Sequence, residues 1–241
     1  MDKTIENQIK RYFESNNMLS KEGLMELLKN DFPTWSDNTI NTYLYKLKKN
    51  GVIDNISRGI YTIGKIQLFT PKINDQLIKI ASRIHKGFPF VNYCVWNSSW
   101  LNDLMRHQPF KNFTIVEIEK VAAEQVFNEL NGYFQNTFIN PDEIFFERYI
   151  SVLDNVIIVK NLYSEAPVLK LYDLTIPTLE KILVDIVIDD TLFAAQQGEL
   201  NFMYKTAFNK YDINELKMKR YAARRNREKE VEKLINISLA K

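Results

Sequence analysis

Residues 36–64 read SDNTINTYLYKLKKNGVIDNISRGIYTIG, a polar cap, an apolar stripe, a glycine stop and two β-branched runs in that order. Ser36 and Asp37 open a helix, because their side chains accept bonds from backbone N–H groups that the first turn leaves unpaired. Within it Ile40, Leu44 and Leu47 recur at helical spacing and point one way, while Asn38, Thr39, Asn41, Thr42, Tyr45, Lys46 and Lys49 point elsewhere. Gly51, directly after Asn50, supplies the left-handed stop. The runs VIDNI and IYTIG are joined by Ser57-Arg58-Gly59, which predicts a hairpin turning at Gly59.

Upstream, residues 4–15 place Ile5, Ile9, Tyr12 and Phe13 at helical spacing. Ser20 then reads as the N-cap of a second helix whose stripe is Leu24, Leu27 and Leu28. Phe32-Pro33 ends it, since the residue before proline avoids the helical region. Three helices and a hairpin over residues 1–65 predict a winged helix-turn-helix. A helix that turns amide and hydroxyl groups outward suits base-edge contacts, lysines along its flank suit phosphates, and Arg58 at the hairpin tip suits a neighbouring groove. The bland reading is a solvated helix face, and residues 1–64 carry nine Lys or Arg against eight acids, so positive charge lies on one edge only. The order and spacing of the elements favour DNA binding.

Composition bounds the rest. With 241 residues, 45% hydrophobic and 26% charged, the chain is globular material for one or two domains. It has no run of eighteen apolar residues, and its opening MDKTIENQIKRYFESNN lacks the pattern of a signal peptide, which predicts a cytoplasmic protein with no membrane partner. The single cysteine, Cys94, has no disulfide partner and reads as a buried small hydrophobe among Tyr93, Val95 and Trp96.

Residues 66–241 read as a second, mixed α/β domain with a helical carboxyl end. Strands are predicted at FVNYCVWN, FTIVEIE, NTFIN and NVIIVKNL. Helices are predicted over Ser99–Met105, Val121–Leu130 and TLEKILVDIVID, with the remainder helical. The fold class is therefore α+β. In the aromatic stretch YCVWNSSWLNDLMRHQPF, Trp96, Trp100 and Phe110 read as core or as a contact surface. Glu180, after Pro177 and Thr178, suits a helix amino terminus.

Patterns of catalysis are scarce. The chain has no glycine-rich phosphate loop among its seven glycines and no Gly-Ser turn with paired aspartates. His85 and His107 do not form a metal pair. A two-metal nuclease reading of Asp142, Glu143, Glu147 and Asp154 ahead of Lys160 fails because Ile158 stands where an acid is required. The sequence thus predicts a non-enzymatic protein with no cofactor and no metal.

From Lys217 to the end, nine Lys or Arg face three Glu. KMKRYAARRNREKEVEKLINISLA reads as one helix, anchored by Leu216, Tyr221, Val231, Leu234 and Ile235. Its first half offers a basic face of Lys219, Arg220, Arg224, Arg225 and Arg227, either solvated or a surface for DNA or an acidic partner.

A winged helix closing in RGIYTIG, followed by a mixed domain containing IPTLEKILVDI and the stretches CVW, HQPF and NPDE, resembles the AbiEi type of bacterial antitoxin over nearly the whole chain. The resemblance implies an autorepressor whose winged helix binds inverted repeats in double-stranded DNA at its own promoter. It also implies a carboxyl-terminal domain that counteracts a nucleotidyltransferase toxin in a type IV system, with Arg220, Arg224, Arg225 and Arg227 as the candidate antitoxin surface. The competing readings are a nucleic-acid-processing enzyme targeted by its winged helix and a protein-interaction adaptor.

Overall fold

The computed structural model describes residues 3–13, 16, 18–49, 51–64, 68–171 and 173–239. The chain divides into two units, Met1–Leu68 with Phe208–Asp212 and Phe69–Ala207 with Ile213–Lys241. Phe208–Asp212, which the sequence reading placed in the second domain, groups with the first. The architecture is mixed α and β, and no helix among the described residues is long and apolar enough to cross a membrane.

Unit 1 contains α1 (Lys3–Tyr12), β1 (Leu19–Ser20), α2 (Lys21–Asp31), α3 (Asp37–Lys49), β2 (Ile53–Ser57) and β3 (Ile60–Ile63). Ser20 caps α2 by accepting from Gly23 N at 3.0 Å, and Ser36 Oγ accepts from Thr39 N at 3.2 Å at the start of α3. The core joins Ile5, Ile9 and Phe13 to Leu24, Leu28, Ile40, Leu44, Leu47 and Ile53. α3 ends as the glycine foretold. Gly51 sits at φ 69, its N–H bonds Lys48 O at 2.9 Å and the N–H of Val52 bonds Leu47 O at 2.8 Å, so the last carbonyls of the helix are satisfied. Across the hairpin, Ile53 pairs with Ile63 and Ser57 with Ile60, with a bulge between Asn55 and Ser57. Gly59 lies at φ 78 beside Arg58. β1 adds a third antiparallel strand to β3, an element absent from the sequence reading.

Unit 2 is built on a four-stranded sheet in the order β4-β5-β7-β6. Its members are β4 (Tyr93–Asn97), β5 (Thr114–Ile118), β6 (Thr137–Ile139) and β7 (Ile157–Asn161), with β4 antiparallel to β5 and the other pairs parallel. The near-continuous apolar runs of β4, β5 and β7 fit strands covered on both faces. α5 (Ala123–Asn131) links β5 to β6, and α6 (Glu143–Phe145) continues as a π-helical turn to Ile150 ahead of β7. Besides the helical stretch Glu143–Ile150, the sequence reading missed two further elements. α4 (Asp75–Gly87), capped by Asn74, buries Leu77, Ile80, Ala81 and Ile84. The second is the hairpin of β8 (Val168–Leu171) and β9 (Leu174–Pro177), in which β9 packs beside β4. The helical end comprises α7 (Leu179–Ile188), α8 (Ala194–Gln197), α9 (Leu200–Lys210, of which residues 208–210 group with unit 1), α10 (Glu215–Arg224) and α11 (Glu228–Leu239).

The single carboxyl-terminal helix of the sequence reading is in fact two. Asn226 adopts φ 56, its N–H bonds Ala223 O at 3.1 Å and the N–H of Arg227 bonds Ala222 O at 2.9 Å. This is the same left-handed stop that Gly51 makes, carried by the non-glycine residue that tolerates it best. Leu216, read as an anchor, is 81% exposed, whereas Tyr221, Val231 and Ile235 are buried.

Candidate functional site

With Ile40, Leu44 and Leu47 fixed in the core, helical geometry dictates which side chains of α3 remain available. Asn38, Thr42, Tyr45 and Lys46 are exposed, Tyr45 by 67%, and Thr39 and Asn41 are half-buried. The side chain of Lys49 lies outside the described residues. Two of the proposed base readers use their donors locally: Asn41 Nδ2 donates to Asp37 O at 2.9 Å and Thr42 Oγ1 to Asn38 O at 2.8 Å. Thr39 Oγ1 likewise meets Ser36 Oγ at 2.9 Å. The outward donors of α3 are thereby concentrated in Asn38, Tyr45, Lys46 and Lys48. Behind this face Phe32, Trp35 and Tyr43 stack in series with centroids 4.3 and 4.4 Å apart, and Lys46 Nζ lies 5.4 Å from the Tyr43 ring. At the hairpin tip Arg58 is exposed. The tip is tied down by Lys21 N donating to Gly59 O at 2.8 Å.

The basic face read on the carboxyl-terminal helix is largely neutralised within unit 2. Arg220 reaches Glu165 Oε2 at 2.5 Å and Arg224 pairs with the other oxygen of the same carboxylate. Lys219 meets Glu232 at 3.2 Å and Arg227 meets Glu230 at 3.3 Å. Arg225 is a correction. Its side chain is only 11% exposed and donates to Asp185 Oδ1 at 2.8 Å, with its guanidinium 3.7 Å from the Tyr163 ring centre. Helical spacing puts Arg225 four residues after Tyr221 and three after Ala222, both buried, so it shares their inward face and not that of its exposed neighbours.

Arg225 is the outer member of a buried charge cluster. Lys181, fully enclosed, donates to Glu117 Oε2 on β5 and to Asp185 Oδ2 on its own helix, both at 2.5 Å. Tyr221 Oη donates to Asp185 Oδ1 at 3.0 Å. Burial pushes the Glu117 carboxyl up against the pull of Lys181. Burial alone would lower the Lys181 ammonium, but Asp185 and Glu117 outweigh it and hold the group well above its usual range. Beside them Lys160 pairs with Asp189 at the mouth of the sheet, and burial lowers its ammonium. Among the described residues no group of three or more His, Cys, Asp or Glu is arranged to hold a metal ion. His107 instead pairs with Glu199, Nδ1 to Oε1 at 2.8 Å.

The model of a family of unknown function (DUF6577) matches residues 39–241, from within α3 to the carboxyl end. The chain belongs to DUF6577. The match takes in most of α3, the hairpin and the whole of unit 2. Among curated proteins none matches. In this DUF6577 protein Glu117 is the member of the cluster that the sequence did not single out, while Lys181 and Asp185 stand out with Glu180 as charges among the apolar positions of α7. The i,i+4 spacing of Lys181 and Asp185 was visible, but Glu117 stands 64 residues away and is brought in only by sheet register. Of the aromatic stretch, Trp96 and Trp100 are core, while Phe110 is fully exposed.

Proposed function

We propose that unit 1 is a winged helix-turn-helix that binds double-stranded DNA and that the protein is a transcriptional autorepressor acting by binding rather than catalysis. The observation that carries this reading is the exposed row Asn38, Thr42, Tyr45 and Lys46 on α3, held by its buried stripe and followed within the same unit by a hairpin with Arg58 at its tip. Such a helix enters a major groove, where Asn and Tyr side chains contact base edges while Lys46 and Arg58 meet phosphates. The resemblance to AbiEi-type antitoxins extends the proposal to a type IV antitoxin that opposes a nucleotidyltransferase toxin, with unit 2 as the effector and Arg220, Arg224 and Arg227 as its basic residues.

A gel shift on the chain's own promoter DNA tests the DNA reading. Specific retardation is expected, and Asn38→Ala or Tyr45→Ala should weaken it by about 1–3 kcal/mol per base edge read, with little change on unrelated DNA. Equal weakening on both DNAs would remove the base-reading assignment. Lys46→Ala and Arg58→Ala should each lower the slope of log affinity against log salt by roughly one unit. Rescue of cells expressing the neighbouring toxin gene, if that gene encodes a nucleotidyltransferase, tests the antitoxin reading separately.

A further inference from the structure

A cleft of unit 2, about 720 Å³, opens beyond the carboxyl ends of the parallel strands β5 and β7, where Glu119 and Leu162 follow them. That is the position at which open α/β sheets take ligands, and the volume is that of a small-molecule site. Phe90 and Tyr163 line it, the first 94% and the second 49% exposed. Two exposed rings in one cleft offer it aromatic surface.

Glu165, also in the lining, has an unusual backbone. Its backbone sits at φ 59, a conformation that a side chain of this kind adopts only when the surroundings impose it. The result of that turn is to present its carboxylate to two arginines at once: Oε2 accepts from Arg220 Nε at 2.9 Å and Nη2 at 2.5 Å, and Oε1 accepts from Arg224. Hydrogen bonds from Arg220 and then Arg224 hold this carboxyl below its usual range. Paired guanidinium forks around one oxyanion are the arrangement that also takes a phosphate. Here the chain's own carboxylate fills it.

We infer that this cleft binds a free nucleotide, with its phosphates displacing Glu165 from Arg220 and Arg224 and its base packing on Phe90 and Tyr163. Glu165 is then an internal competitor that sets the affinity, and the twin arginines, otherwise a neutralised surface pair, become the anion site. The inference stands on unit 2 and goes beyond the reading of unit 1 as a DNA-binding module, so its failure leaves the gel-shift result untouched.

Calorimetric titration of the full chain with ATP tests it. One-site saturation is expected, with adenosine alone and inorganic tripolyphosphate alone each binding at least tenfold more weakly. Arg220→Ala with Arg224→Ala should weaken ATP at least tenfold, and Phe90→Ala about fivefold or more, the range that stacking of one base supports. Glu165→Gln, which removes the competing charge at an exposed site, should tighten ATP several-fold. Such a gain cannot arise from misfolding. Absence of saturation at millimolar ATP, tripolyphosphate binding as tightly as ATP, or an unchanged affinity in Glu165→Gln would overturn the inference. Tighter binding of a single-stranded RNA octamer than of ATP would overturn the assignment to a free nucleotide.

Discussion

Lys181→Met is expected to destabilise unit 2 by about 3–5 kcal/mol, because it leaves the carboxylates of Glu117 and Asp185 buried without their shared cation. Urea unfolding followed by circular dichroism measures the loss. The effect has a pH signature. In the parent the Lys181 ammonium is held above its unfolded value, so its stabilisation is fully present below about pH 10.4 and is lost as pH rises through the folded value. In the variant the dominant group is the Glu117 carboxyl, already raised by burial and now without the pull of Lys181, so it binds its proton more tightly folded than unfolded. Stability of the variant should therefore rise as pH falls from 7 toward 5, relative to the parent. Adding Glu117→Gln should recover much of the loss at pH 7, since the stranded charge of Glu117 is then gone while Asp185 keeps Arg225 as its partner. A variant as stable as the parent, with no pH trend, would show that the cluster contributes nothing.

Gly64→Ala is the second large expected effect, and it reaches from stability to DNA binding. A methyl group at residue 64 would lie 2.0 Å from the carbonyl oxygen of Gly51 and 2.9 Å from Ile53 N, so it meets backbone that has no rotamer to yield. The close approach exists because Gly64 N donates to Val52 O at 2.7 Å, closing the base of the hairpin onto the end of α3. Overpacking of this kind costs about 1–3 kcal/mol, and more where backbone must move. The hairpin is the part that must give way, and Arg58 moves with it. Promoter affinity should fall further than the Arg58→Ala substitution alone produces, which the gel shift reads directly. Gly87→Ala, with open space around its new carbon, serves as the control.

Unit 1 was legible because each of its boundaries is marked by a residue with a local job. Ser20 and Ser36 accept bonds from the first turns of their helices, and Gly51 and Gly59 take left-handed backbone. Such signals act over three or four residues and survive in any context. The strands of unit 2 and α7 were legible for a different reason, their dense apolar runs. α4 carried both an Asn74 cap and a stripe at 77, 80, 81 and 84, so the signal was present and was passed over beside an irregular connector. The β8–β9 hairpin turns without a glycine or asparagine in its sequence, Leu171-Tyr172-Asp173-Leu174, and Asp173 by itself is a weak turn signal between apolar neighbours.

The candidate sites were less legible than the fold because they depend on distances that sequence does not carry. Asn41 and Thr42 have the chemistry of base readers, but four-residue spacing also lets them bond their own helix. Arg225 looks like its neighbours in a basic run, although helical spacing sets it on the face of Tyr221 and Ala222, where Asp185 meets it. Glu165 lies 55 residues from Arg220, and nothing in either segment announces the pair.

The single cysteine gives the chain a built-in clock for local opening. Cys94 lies on β4 opposite Glu117 in register, shut off from solvent, and burial pushes its thiol well up, so the nucleophilic thiolate is scarce as well as enclosed. A thiol reagent can modify it only after the layers that cover β4 have opened, and the rate of modification then reports how often the centre of unit 2 opens. No engineered label is needed for that measurement, since the protein has one reactive atom of this kind and keeps it where such opening must precede every reaction.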